Sequence, residues 1–97
     1  MTTLQFSDRV AIVTGAAKGI GQACAIAFAK LGARVILNGQ REGPLADTLA
    51  RIEQAGGKAV IVAGDVSNET VAKETVLSAV KAFGRLDFTV NNAGISP

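Results

Sequence analysis

Neither histidine nor tyrosine occurs among the 97 residues. The first absence removes the one side chain whose unperturbed pKa lies near neutrality, and the second removes the phenolic acid, so two of the usual proton carriers are missing. The single cysteine, Cys24, cannot form an internal disulfide, and on an apolar helical stripe it reads as a small buried hydrophobe. Long hydrophobic runs are missing too: the longest covers residues 23–29, far below the ~20 residues that a bilayer-crossing helix needs. Residues 1–8 carry neither a basic start nor an apolar stretch of signal-peptide length, so the expectation is a cytoplasmic protein with no membrane role. Charge of either sign is scarce, at ten basic and eight acidic residues, and a net +2 is too small to argue for a nucleic-acid partner.

Apolar residues make up 48% of the chain and charged residues 19%, the balance of a globular protein. A chain of this length makes one small domain with a thin core, burying roughly two thirds of the surface that it exposes when unfolded. No linker, low-complexity tract or second domain interrupts it. Four short apolar runs, rich in β-branched residues, recur about every 25 residues, which is the span of a strand plus a helix. They cover residues 10–13, 35–37, 59–63 and 88–90.

Helical patterns fill the gaps. Ile20, Ala23, Cys24, Ala27, Phe28 and Leu31 follow the i, i+3, i+4, i+7 spacing of one helix face, and Gly32 ends that helix. A second helix is expected from Pro44, turning Leu45, Leu49 and Ile52 inward and stopping at Gly56-Gly57. A third should start after Ser67 as N-cap, bury Ala72, Val76, Ala79, Val80 and Phe83, and meet Gly84. The fold class is therefore α/β: a Rossmann-like, doubly wound parallel sheet in β-α-β-α-β-α-β order. Right-handed crossovers and the strand order 3-2-1-4 put the first two helices on one face and the third on the other. Residues 91–97 follow strand four with no further helix, so the expectation is the N-terminal half of a domain whose other half is absent.

The turn after strand one carries the chemistry. In Thr14-Gly15-Ala16-Ala17-Lys18-Gly19-Ile20-Gly21, Gly15 allows the chain to turn tightly and Gly19 lets backbone approach a pyrophosphate, while Gly21 lets helix and strand pack closely. The alternative, ordinary turn and cap glycines, is a poor match for three glycines at this spacing after an apolar strand. A P-loop is excluded, because it needs four residues between its glycines and Lys-Ser/Thr after the second; here three separate Gly15 from Gly19, and Ile20 follows.

Three motifs together, Thr-Gly-x-x-x-Gly-x-Gly at 14–21, Asp65-Val66 after strand three and Asn91-Asn92-Ala93-Gly94 after strand four, resemble the short-chain dehydrogenase/reductase family, in order and at family spacing. The resemblance covers nearly all of this chain but only the N-terminal part of a family member. It implies a site for a nicotinamide dinucleotide formed by Thr14, Gly15, Ala17, Lys18, Gly19, Ile20, Gly21, Gly39, Arg41, Asp65, Val66, Asn92, Ala93 and Gly94. A Thr that ends a strand is common in any fold, so Thr14 also has a plain structural reading.

By family spacing, Gly39 stands where NAD-binding members place an acid for the adenosine ribose. A carboxylate there would repel a 2′-phosphate, whereas Arg41 can grip one bidentately and Lys18 can add a point charge. The resemblance thus implies NADP, with NAD as the alternative; Gln40 stands where many relatives carry Arg, and the alternative for Lys18 and Arg41 is that they are solvated surface charges. Asp65 would accept from the adenine amino group while the Val66 N–H meets a ring nitrogen, or Asp65 is a turn residue beside Gly64. Asn91 and Asn92 would tie strands together, and Thr89, polar in an apolar strand, needs a backbone partner or an open face.

Family members move a hydride between nicotinamide and a carbonyl or alcohol, using a Tyr, a Lys four residues on, a Ser and an Asn. None of these can be carried onto this chain, so no catalytic residue and no substrate is assigned, and the 97 residues alone are expected to be inactive. Two functions follow. The first is part of a longer, homo-oligomeric NADP-dependent oxidoreductase acting on a small carbonyl or alcohol; the second is a non-catalytic dinucleotide-binding or interaction module, complete at 97 residues.

Overall fold

A computed structural model of the protein describes residues 5–92. The element order is β1 (Val10–Val13), α1 (Gly19–Lys30), β2 (Arg34–Gly39), α2 (Glu42–Gln54), β3 (Lys58–Ala63), α3 (Glu69–Phe83) and β4 (Phe88–Val90). All pairings are parallel, in the order β3-β2-β1-β4. The expected topology is therefore the observed one.

Alternation along the strands divides the core into two layers, since successive side chains of a strand point to opposite faces. Val13, Val35 and Leu37 pack with Ala25 and Ala29 of α1 and with Leu45 and Ile52 of α2. Val10, Ile12 and Ile36 pack on the other face with Ala79 of α3, joined by the half-buried Phe83. Leu45 and Ile52 are fully buried, and each contributes about 1.5–3 kcal/mol relative to an exposed side chain, which makes them the anchors of α2.

Two helix faces differ from the sequence expectation. On α1 the buried residues are Gly21, Ala25 and Ala29, while Ile20, Ala23 and Ala27 face outward and Cys24 and Phe28 are half-buried. Almost every residue of α1 is apolar, so periodicity could not choose its face; close approach to the sheet did, and it selects the smallest side chains. On α3 the buried pair is Thr75 and Ala79, whereas Val76, Leu77 and Val80 are 44–52% exposed. The Thr75 hydroxyl donates to the Val71 carbonyl at 2.7 Å, which satisfies its polarity and lets it face inward.

Helix starts also moved. Asn68, not Ser67, caps α3, its Oδ1 accepting from the Thr70 and Val71 N–H groups at 2.9 and 3.3 Å. α2 begins at Glu42, two residues before Pro44, with Arg41 as N-cap. Thr89 lies exposed on β4, so its hydroxyl carries no burial cost. No helix among the described residues is long and apolar enough to cross a membrane.

The amino-terminal ends of β1 and β4 are joined by Asp87. Its Oδ2 accepts from the Val10 N–H at 2.8 Å and from Arg85 Nε at 2.9 Å, and Oδ1 accepts from Arg85 Nη2 at 2.7 Å, with Arg9 Nη1 at 3.4 Å. The Arg85 guanidinium first, then the Val10 N–H, hold this carboxyl below its ordinary 3.8. A carboxyl with a depressed folded pKa stabilises above its unfolded value and loses that contribution as pH falls through the lower folded value. Asp87→Asn should therefore lower the urea midpoint at neutral pH, and the gap to wild type should close below about pH 4. A gap unchanged at acid pH would refute this account of Asp87.

Candidate functional site

In a parallel sheet every strand ends on the same side, and helices that depart to opposite faces leave a crevice there. The departure lies at β1, whose neighbours β2 and β4 belong to different halves of the order. A cleft of about 740 Å³ opens at this place. One wall is the turn, with Gly15, Ala17, Lys18, Gly19 and Ile20; the other is Gly39, Gln40, Arg41 and Pro44 at the start of α2, and Asn92 follows β4.

The turn is backbone-built. Gly15 and Gly19 have φ of +61° and +59°, the left-handed region where a side chain is strained. A Cβ on Gly19 would meet nothing within 4 Å, so the space before it is open for a ligand. Gly21 is the opposite case: a Cβ there would run into the Gly15 carbonyl and stand 2.7 Å from Asn92 Nδ2. Lys18, the N-cap of α1, makes no side-chain capping bond, so the first N–H groups of the helix stay available. They and the helix dipole favour an anion.

Side chains at the ends of β1 and β4 lock the turn in place. The buried Thr14 hydroxyl is shared between the Val90 carbonyl and Asn91 Oδ1, each at 3.3 Å, and accepts from the Asn92 N–H at 2.8 Å. Asn92 Nδ2 donates to the Gly15 carbonyl at 3.4 Å. Thr14 thus ties the end of β1 to the chain at the end of β4.

Six of the ten basic residues, Lys18, Lys30, Arg41, Arg51, Lys58 and Lys81, form no salt bridge among the described residues. Arg9, Arg34, Lys73 and Arg85 each stand in a salt bridge. Lys18 and Arg41 line the cleft and form none among the described residues. Gly39, buried at the end of β2, presents no acid, and Leu45 lies behind it, 2.9 Å from where a Cβ would stand.

Asp65 and Val66 lie outside the lining of this cleft. The Asp65 Oδ1 accepts from the Ser67 hydroxyl at 2.7 Å and its N–H at 2.9 Å, bonds that hold the carboxyl below its ordinary 3.8. Ala93 and Gly94 lie outside the described residues. Sequence reasoning missed three polar residues behind the turn. Asn38, buried within β2, donates to the Val62 and Gly64 carbonyls, and its own carbonyl accepts from the Ala16 N–H at 2.8 Å. Thr48 and Gln22 bond to Ala16 and Ala17. A polar residue inside an apolar strand, or on the Leu45–Ile52 stripe, was the available signal, because burial obliges it to find a partner.

The chain matches the family model of short chain dehydrogenases over residues 9–97. It is 42% identical over 94 residues to an oxidoreductase of Thermotoga maritima, covering 97% of this chain and 37% of that protein. It is 43% identical to L-rhamnose 1-dehydrogenase (NAD(P)(+)) of a Sphingomonas species, covering 92% of this chain and 35% of that one. A crystal structure of a metagenomic short-chain oxidoreductase in complex with NADP superposes with a TM-score of 0.86 at 40% identity, over 93% of this chain and 41% of the other. The chain spans little more than a third of the length of such relatives.

Gly21→Ala should destabilise the protein by about 1–3 kcal/mol, since neither the Gly15 carbonyl nor α1 has room to give. Gly43→Ala, a helical position with nothing within 4 Å of the new Cβ, should be neutral or stabilise by up to about 1 kcal/mol. Urea unfolding of both variants checks the pair; a Gly21→Ala protein as stable as wild type would contradict the geometry.

Proposed function

The chain belongs to the short chain dehydrogenase family, and from that premise we propose that it holds the dinucleotide in an oxidoreductase that exchanges a hydride between NADP(H) and a carbonyl or alcohol. The observation that carries the reading is the cleft itself, where an uncapped helix N-terminus and a glycine turn face two cations without salt-bridge partners among the described residues.

The residues present fit such a ligand. Open space before Gly19 admits a pyrophosphate to the backbone N–H groups at the start of α1, and Gly15 allows the turn that presents them. Lys18 and Arg41, on opposite walls, suit the 2′-phosphate that distinguishes NADP from NAD. Gly39 leaves no carboxylate to oppose it. NAD is the alternative cofactor, and the rhamnose dehydrogenase relative bears both in its name. Ala93 and Gly94 would border the adenosine, with Asp65 and Val66 at the adenine.

When bound, the dinucleotide supplies or accepts the hydride. The chain's own residues bind and orient it: the turn fixes the pyrophosphate, the cations select the phosphate, and Asn92 and Thr14 hold the turn against β4. With neither tyrosine nor histidine here, we assign the accompanying proton transfer to residues beyond these 97, in a longer protein.

Fluorescence titration of the natural-length protein with NADPH and NADH tests the reading. Arg41→Ala should weaken NADPH binding by about 10-fold, as expected for loss of a charge-assisted bond, while NADH changes little. Lys18→Ala should act in the same direction. Equal losses for both nucleotides, or none, would contradict it.

A further inference from the structure

We propose that Thr48, with Gln22, is a positioning residue that sets the distance between the pyrophosphate turn and the phosphate-selecting cation, and so sets the preference for NADPH over NADH. The inference rests on the reading just given.

Thr48 sits in the middle of α2 and is fully buried. Its hydroxyl donates to the Ala16 carbonyl at 2.8 Å and accepts from Gln22 Nε2 at 3.0 Å. Gln22, in the first turns of α1, also donates to the Ala17 carbonyl at 3.3 Å. Both capacities of the hydroxyl are used, and every bond ends on the glycine turn or on the helix leaving it. Three pieces of chain meet at one oxygen: the turn, α1 and α2.

α2 carries Arg41 as its N-cap, about two helical turns before Thr48. A helix is stiff along its axis, so whatever fixes Thr48 against Ala16 also fixes Arg41 relative to Gly19. The remaining packing of α2 is apolar, through Leu45 and Ile52, and apolar contact is not directional. Hydrogen bonds at Thr48 supply the directional constraint. NADH binds without calling on Arg41; NADPH needs the turn and Arg41 at a matched separation. Loosening the join should therefore weaken NADPH more than NADH, a difference that a general loss of stability does not produce.

The test titrates the natural-length protein with NADPH and with NADH, at a temperature where each variant is folded by circular dichroism. Thr48→Val keeps the shape and removes both bonds. Its preference for NADPH should fall by about threefold or more. Thr48→Ser, which keeps the hydroxyl, should restore the preference. Gln22→Met, at a half-buried position and so less disruptive, should reduce the preference in the same direction even if Thr48→Val does not fold. An unchanged preference in a folded Thr48→Val or Gln22→Met protein, with wild type discriminating, overturns the positioning role and leaves the proposed cofactor intact. Wild type that does not discriminate overturns both.

Discussion

The meeting of Gly21 with the Gly15 carbonyl is the constraint on which the rest of the site depends. Only a residue without a Cβ allows α1 to settle so low on the turn, and Asn92 Nδ2 occupies the neighbouring space. Because the helix sits there, its first N–H groups open into the cleft rather than onto a side chain. The same low seat brings Ala25 and Ala29 against the sheet, where larger residues would hold the helix off. Thr14, after β1, and Asn92, after β4, then close the arrangement. One missing methyl thus links the packing of the first layer to the chemistry of the cleft.

Charged groups stand at both ends of the sheet. At the amino-terminal side Asp87 gathers Arg85, Arg9 and the Val10 N–H. These bonds tie the start of β4 to β1. At the carboxyl-terminal side Lys18 and Arg41 lack salt-bridge partners among the described residues. Two unneutralised cations beside a helix N-terminus repel one another and the dipole, a cost that a bound phosphate would reverse.

The strands and their order were legible because β-branched runs at regular spacing leave few topologies, and right-handed crossover leaves fewer. The glycine turn was legible because its spacing encodes backbone geometry directly. Helix faces were not: α1 is apolar all round, and α3 places Thr75 inside and Val76 outside, an exchange decided by a local bond to Val71. The expected cap, Ser67, instead donates its hydroxyl to Asp65, and Asn68 caps the helix. Asn38 and Thr48 were hidden because their partners are carbonyls far along the chain, which no local pattern announces. What sequence conveys here is local geometry; what it conceals is which distant backbone group a buried polar side chain will find.

A crystal structure of the natural-length protein with NADP+ would test the central claim most directly. The account predicts the pyrophosphate against the N–H groups at Gly19 and Ile20 and the 2′-phosphate between Lys18 and Arg41. A dinucleotide bound away from the glycine turn, or a 2′-phosphate directed to solvent with both cations unengaged, would contradict it.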